Sequence, residues 1–141
     1  ECCDYAAAKG VGLSVKPHGG ANSTGRQCRQ LIEKVGHKNF GLWYDPGNIF
    51  FYSDGKLDPV DDAATVDGLV VGMSVKDYRP PKEVMLTPGT GKVDFPKVFA
   101  RLRRGGFNRG PLIVECLSAG DAAHLEAEAG KARQFVAALV R

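Results

Sequence analysis

Short apolar runs alternate with amphipathic segments along the chain. Apolar side chains at positions i, i+3, i+4 and i+7 line one face of a helix, and three segments have this spacing. These predicted helices carry Cys28, Leu31, Ile32 and Val35; Phe95, Val98, Phe99 and Leu102; and Ala132, Phe135, Val136 and Leu139. A shorter helix is predicted over 59–66, where Pro59 follows the capping residue Asp58. An alanine-rich segment that ends at Gly10 predicts one more helix at the start of the chain.

Four apolar runs, each followed by a loop that contains helix- and strand-breaking residues, predict strands. They span 11–15, 40–44, 69–75 and 111–114. Strands that alternate with helices form a parallel sheet, so the predicted fold class is α/β. Because the strands are apolar throughout, we expect burial on both faces of the sheet. Four such units make half of a TIM-type (β/α)8 barrel of about 250 residues, and the alternative is a small open doubly wound sheet.

Composition narrows the class of protein without identifying it. A length of 141 residues suits one domain, and 43% hydrophobic with 25% charged residues is typical of a soluble globular chain. The net charge of +3 is small and its basic residues are scattered, which argues against a nucleic-acid partner. No apolar run approaches the roughly 20 residues that cross a membrane. The four cysteines show no CxxC spacing, which favours a reducing, cytoplasmic location.

A polar residue closes each predicted strand. These residues are Lys16, Asp45, Ser74 and Glu115. The carboxyl ends of parallel strands meet at one edge of the sheet, and active sites of α/β proteins lie there. We therefore expect the chemistry of the protein at this edge.

Five segments together resemble the sugar phosphate isomerase and epimerase family with the xylose isomerase-like barrel. The segments are Lys16-Pro17-His18-Gly19-Gly20, Asp45-Pro46-Gly47-Asn48, Val75-Lys76-Asp77-Tyr78, Gly89-Thr90-Gly91-Lys92-Val93-Asp94-Phe95 and Ile113-Val114-Glu115-Cys116. The resemblance implies that residues 1–141 are a single partial domain, the C-terminal half of the barrel with strands five to eight. The chain begins with Glu1 rather than Met and lacks the pattern of a signal peptide, so we expect it to be cut from a longer protein. Half a barrel would pair with its missing N-terminal half or associate with other copies.

The same resemblance implies a divalent ion, Mg²⁺, Mn²⁺ or Zn²⁺, held by Glu, Asp, His and Glu at the four strand ends. Asp45 and Glu115 match two of these ligands, whereas Lys16 replaces the first Glu and Ser74 replaces the His. A protonated lysine has no lone pair for a metal, so the predicted metal site is degenerate. Asn48 stands where the family commonly has a substrate-binding His.

The departures from the family pattern suggest how the site would still work. An ammonium at Lys16 within reach of Asp45 and Glu115 would supply the positive charge of the ion, and the alternative is a purely structural ion pair. Glu115 is the candidate acid–base group, and Lys16 is the second candidate catalytic residue. The candidate substrate-binding residues are His18, Asn48, Lys76 and Arg79.

The resemblance implies an isomerase or epimerase acting on a carbohydrate, with proton transfer between adjacent carbons through an enediolate. A catalytically silent sugar-binding barrel that has lost its metal site is the alternative. A third possible function, that of the related apurinic-site endonucleases, is the least favoured because their zinc cluster needs many histidines. This chain has only His18, His37 and His124, with no metal-ligand spacing among them.

Overall fold

A computed structural model describes all residues from Glu1 to Arg141. Four strands form one parallel sheet in the order β1-β2-β3-β4. They are β1 (Leu13–Val15), β2 (Phe40–Tyr44), β3 (Val70–Val75) and β4 (Leu112–Val114). Six α-helices accompany them: α1 (Cys2–Ala8), α2 (Gly25–Val35), α3 (Pro46–Tyr52), α4 (Pro59–Ala63), α5 (Phe95–Arg104) and α6 (Ala122–Leu139). Consecutive parallel strands joined through helices are the α/β arrangement that the sequence predicts.

Local signals set the helix boundaries. Thr24 and Gln27 form a capping box at the start of α2, and Gly36 ends the helix in the left-handed conformation. Asp58 and Asp94 cap α4 and α5 by accepting hydrogen bonds from backbone N–H groups. The short α4 continues into a turn of 3₁₀ helix over 64–66, and a second 3₁₀ turn spans 20–22.

One helix was not expected. Asp45-Pro46-Gly47-Asn48 has the composition of a loop, yet α3 begins there immediately after β2. Asp45 is the capping residue and accepts a hydrogen bond from the backbone N–H of Asn48, and Pro46 occupies the first helical position. Gly47 packs so closely on the chain after β3 that a Cβ atom would lie 2.6 Å from the carbonyl oxygen of Lys76. The breaker residues therefore start a helix instead of forming a turn.

The core lies between the helices and one face of the sheet. Leu42 and Tyr44 of β2 and Met73 and Val75 of β3 are fully buried in it, beside apolar side chains of α2 and α5. The opposite face is open, so the expected burial on both faces is wrong for these 141 residues. Side chains of a strand alternate between the two faces, and the second face carries no fully buried apolar side chain, although Ser74 on it is buried.

The open face exposes apolar side chains. Val71 and Ile113 are each 48% exposed although they lie in strands. The sheet ends in unpaired edges at β1 and β4. Beside β4, an open apolar groove of about 540 Å³ runs along α6 and includes Val114, Ala132 and Val136. Of the stripe predicted to be buried on α6, only Ala132 is fully buried, whereas Phe135, Val136 and Leu139 are half-buried.

The long loop between β3 and α5 is held by a buried aspartate. Both carboxylate oxygens of Asp77 accept hydrogen bonds, with Oδ1 bound by the N–H groups of Tyr78 and Val93 and Oδ2 by those of Gly89 and Gly91, at 2.8–3.1 Å. Asp77 is fully buried, so these donors satisfy a charge that would otherwise be costly. The carboxylate binds the loop back onto the end of β3.

Candidate functional site

The polar residues at the carboxyl ends of the strands form one connected cluster. Lys16, Asp45 and Glu115 immediately follow β1, β2 and β4. Ser74 does not close β3 as the sequence predicts, because the strand continues to Val75 and Lys76 follows it. Ser74 and Lys76 are two positions apart in an extended segment, so both reach the same side of the sheet as Glu115. We call Lys16, Asp45, Ser74, Lys76 and Glu115 the strand-end cluster.

Lys16 joins the two carboxylates of the strand-end cluster. Its Nζ lies 2.9 Å from Oδ2 of Asp45 and donates a hydrogen bond to Oε2 of Glu115. Burial alone would lower the pKa of Lys16, but the negative charges of Asp45 and Glu115 outweigh burial and raise it. The ammonium form of Lys16 is therefore the stable one at neutral pH.

Glu115 has partners on both oxygens. Ser74 Oγ donates to Oε2 at 2.7 Å, and Lys76 Nζ donates to Oε1 at 3.0 Å. Partial burial would raise the pKa of Glu115, but the hydrogen bonds from Lys16, Ser74 and Lys76 lower it to about 2. The Glu115 side chain is still 30% exposed, so a ligand at the edge of the sheet can reach it.

Asp45 is the buried member of the strand-end cluster. It is fully buried, and its Oδ1 accepts a hydrogen bond from the backbone N–H of Asn48 at 2.9 Å. Its Oδ2 receives no well-directed hydrogen bond, although the Lys16 ammonium is close. Burial raises the pKa of Asp45, and the charge of Lys16 only partly opposes this. The charge of Lys16, together with the hydrogen bond from the N–H of Asn48, therefore favours the ionised form of Asp45.

The side chains of the remaining candidate residues, His18, Asn48 and Arg79, make no hydrogen bond to the strand-end cluster. The side-chain amide of Asn48, which is buried, donates to the carbonyl oxygen of Pro17 at 2.7 Å. His18 shares a hydrogen bond of 3.2 Å between its Nδ1 and the hydroxyl of Tyr52. Arg79 forms an ion pair with Glu83 on the long loop. Of the predicted substrate-binding residues, only Lys76 contacts Glu115 directly.

Sequence reasoning did not predict the hydrogen bond that Trp43 makes within this site. Its indole Nε1 donates to Ser74 Oγ at 3.0 Å, which leaves the Ser74 hydroxyl hydrogen to bind Glu115. The aromatic run before Asp45 was a signal for this residue, but its hydrogen bond depends on the pairing of β2 with β3. Trp43 therefore orients the Ser74 hydroxyl toward Glu115.

The strand-end cluster does not fit a divalent ion. It offers two carboxylates, and the ammonium of Lys16 already contacts both of them. Ser74 supplies a hydroxyl that is already bound to Glu115, and hard cations need several free oxygen ligands. No group of three or more His, Cys, Asp or Glu side chains that could hold a metal occurs in residues 1–141.

The fold and the position of this cluster agree with a match to a family model described as the xylose isomerase-like TIM barrel, over residues 1–139. The chain belongs to the xylose isomerase-like TIM barrel family. No match is found among curated proteins. No helix in residues 1–141 combines the length and apolar character that crossing a membrane requires.

Solved structures show the same fold. A xylose isomerase domain protein from Planctomyces limnophilus matches with a TM-score of 0.74 and 21% identity, over 97% of this chain and 48% of that one. D-psicose 3-epimerase from Clostridium cellulolyticum H10, solved with D-tagatose, matches with a TM-score of 0.76 and 14% identity. The match covers 98% of this chain and 52% of that one. A xylose isomerase domain protein from Alicyclobacillus acidocaldarius matches with a TM-score of 0.77 and 19% identity, over 98% of this chain and 53% of that one. The chain therefore spans about half the length of the structures it matches.

Proposed function

We propose that this chain is the C-terminal half of a barrel that isomerises or epimerises a carbohydrate by moving a proton between adjacent carbons. Membership of the xylose isomerase-like family and the similarity of fold to sugar epimerases support the carbohydrate substrate. Coverage of about half of each solved relative and the open edges of β1 and β4 support the partial domain. Residues 1–141 would then supply strands five to eight.

The observation that carries the proposal is the environment of Glu115. It is a partly exposed carboxylate at the carboxyl end of β4, flanked by two ammonium groups and a hydroxyl. Removing a proton from a carbon next to a carbonyl needs a positioned base and positive charge near the oxygen that becomes negative. Glu115 would be the base, and Lys16 and Lys76 would stabilise the enediolate oxygens.

The low pKa of Glu115 sets a condition on this role. A carboxylate with a pKa of about 2 is a weak base as long as Lys16 and Lys76 remain bound to it. A sugar whose oxygens take over the two ammonium groups would remove these hydrogen bonds and raise the pKa of Glu115 toward its ordinary value. Substrate binding would therefore activate the base. His18, Asn48 and Arg79 stay proposed as substrate-binding residues, with Asn48 acting through the segment at Pro17 that it holds.

A second candidate function is sugar binding without catalysis. The observation in its favour is that Lys16 contacts both carboxylates where a catalytic ion would sit. Such a barrel would bind a sugar without exchanging its carbon-bound hydrogens with water.

Glu115→Gln in the full-length protein that contains this chain separates the two candidates. Isomerase or epimerase turnover on ketohexoses, and exchange of carbon-bound hydrogen with deuterium oxide, should fall by roughly 10²-fold or more in Glu115→Gln. The control Glu33→Gln removes an exposed carboxylate of α2 and should leave turnover unchanged. Sugar binding with no exchange in the unaltered protein would favour the silent barrel, and unchanged turnover in Glu115→Gln would exclude Glu115 as the base.

A further inference from the structure

Asp45 has a single source of positive charge. Its Oδ1 is bound by the N–H of Asn48, and its Oδ2 has only the Lys16 ammonium within 4 Å as an ion-pair partner. A fully buried carboxylate without a counter-charge is strongly destabilising. Lys16 is therefore the group that makes an ionised Asp45 compatible with the fold.

The two carboxylates depend on Lys16 unequally. Glu115 keeps Lys76 and Ser74 as partners if Lys16 is removed, whereas Asp45 keeps no cation. Lys16 is also held at its backbone, where its carbonyl oxygen accepts a hydrogen bond from the side chain of Asn22 at 2.7 Å. Lys16 is thus positioned between Asp45 and Glu115 from its own strand end.

We propose that the Lys16 ammonium is the built-in cation of this site, joining Asp45 to Glu115 where a divalent ion would otherwise bind, so that the site handles its ligand without metal. The proposal rests on the proposed function only for the identity of the ligand as a carbohydrate. The placement of charge does not depend on catalysis. The two carboxylates and the two ammonium groups of the strand-end cluster balance in charge, so no further cation is required.

The proposal predicts that removal of Lys16 creates a metal site. Lys16→Glu would place a third carboxylate beside Asp45 and Glu115, and clustered carboxylates favour hard divalent cations. Lys16→Met keeps a long side chain but removes the charge, which leaves Asp45 to attract an external cation. In both variants a bound ion would replace the missing ammonium.

A titration of the full-length protein with Mn²⁺ tests this prediction. Binding is measured from the electron paramagnetic resonance signal of free Mn²⁺ and from the change in melting temperature (Tm). The affinity of Lys16→Glu for Mn²⁺ should exceed that of the unaltered protein by about tenfold or more. Mn²⁺ should raise the Tm of Lys16→Glu and Lys16→Met but not that of the unaltered protein, because a ligand stabilises only the state that binds it. Lys97→Glu is the matched control, since it converts an exposed Lys–Asp pair with Asp94 and should gain no tight site.

Two results would overturn the proposal. One is tight Mn²⁺ binding by the unaltered protein that Asp45→Asn abolishes. The other is a Lys16→Met variant whose Tm equals that of the unaltered protein and does not respond to Mn²⁺. If Lys16→Glu fails to fold without metal, Lys16→Met decides the question. Neither measurement depends on turnover. Absence of isomerase activity would therefore contradict the proposed function without deciding whether Lys16 is the built-in cation.

Discussion

The carboxylate of Asp62 binds the first backbone N–H of α2, with Gly25 N lying 3.0 and 3.1 Å from its two oxygens. Tyr44 of β2 donates its hydroxyl to Oδ2 of the same carboxylate at 3.1 Å. Asp62 lies in α4, so one buried side chain links two helices and a strand. The negative charge also lies at the N-terminus of α2, where the helix dipole favours it.

Gly25 should not tolerate a side chain. A Cβ atom there would lie 2.6 Å from Asp62 Oδ2 and 2.8 Å from Val66 Cγ1. Gly25→Ala should therefore lower the free energy of unfolding by about 1–3 kcal/mol, measured by urea denaturation. The control Gly130→Ala lies within α6 with nothing within 4 Å of the new atom, and it should stabilise by about 0.5–1 kcal/mol. Equal stabilities of the two variants would contradict the crowding at Gly25.

The free energy of unfolding should decrease as the pH rises from 4 to 6, because of Asp62. Burial raises the pKa of Asp62 from 3.8 to about 6, despite the hydrogen bonds from Gly25 and Tyr44. The folded state therefore binds more protons than the unfolded state in this range, so stability decreases as pH rises through it and levels off above pH 6. The effect amounts to roughly 3 kcal/mol at most.

Urea midpoints measured at several pH values check this. Asp62→Asn has no charge to bury and should lose the decrease between pH 4 and 6. Asp61→Asn changes the exposed neighbour in the same helix and should retain it. Parallel profiles for the unaltered protein and Asp62→Asn would show that Asp62 is not the group responsible.

Asp77 should control the order of the long loop before α5. Asp77→Asn places an amide N–H₂ against backbone N–H donors, because the four present bonds all require acceptor oxygens. We expect a loss of about 3 kcal/mol of stability and faster proteolytic cleavage within 79–94. Asp54→Asn, an exposed aspartate paired with Lys82, should leave both measurements almost unchanged. An uncleaved loop in Asp77→Asn would contradict this role.

The 141-residue chain should self-associate through its open sheet face and edges. Ile113 lies on that face at 48% exposure beside the unpaired edge of β4. Ile113→Lys should shift the chain toward monomer in sedimentation velocity experiments, because a charged side chain hinders association of apolar strands. The control Val35→Lys changes an apolar residue of similar exposure on α2 and should leave the association unchanged. A dispersed, monomeric unaltered chain at high concentration would refute the prediction.

The sequence predicts the order of strands and helices and the fold class, because strong apolar periodicity and capping residues act locally. It does not predict α3, where proline and glycine resemble a turn until the close approach of Gly47 to the chain after β3 is known. It gives the end of β3 at 75 correctly but names Ser74 as the closing residue, whereas Lys76 follows the strand. Ser74 and Lys76 lie on one side of the sheet, so the sequence alone does not separate them. Apart from the N–H of Tyr78, the donors to Asp62 and Asp77 lie 12–37 residues away in the chain, which no local pattern reveals.

The direct junction between β2 and α3 bears on how the site would accommodate the proposed carbohydrate ligand. Asp45 belongs to that junction and its Oδ1 is bound to the helix backbone, so its position is fixed by two regular elements. Glu115 instead starts the irregular segment before α6, and Lys16, Lys76 and Ser74 hold its carboxylate. One side of the site is therefore built on a strand and a helix, and the other side on the start of a loop. If the proposed carbohydrate ligand differed in shape between related barrels, we would expect the length and sequence of 115–121 to change with it while the position of Asp45 stays the same.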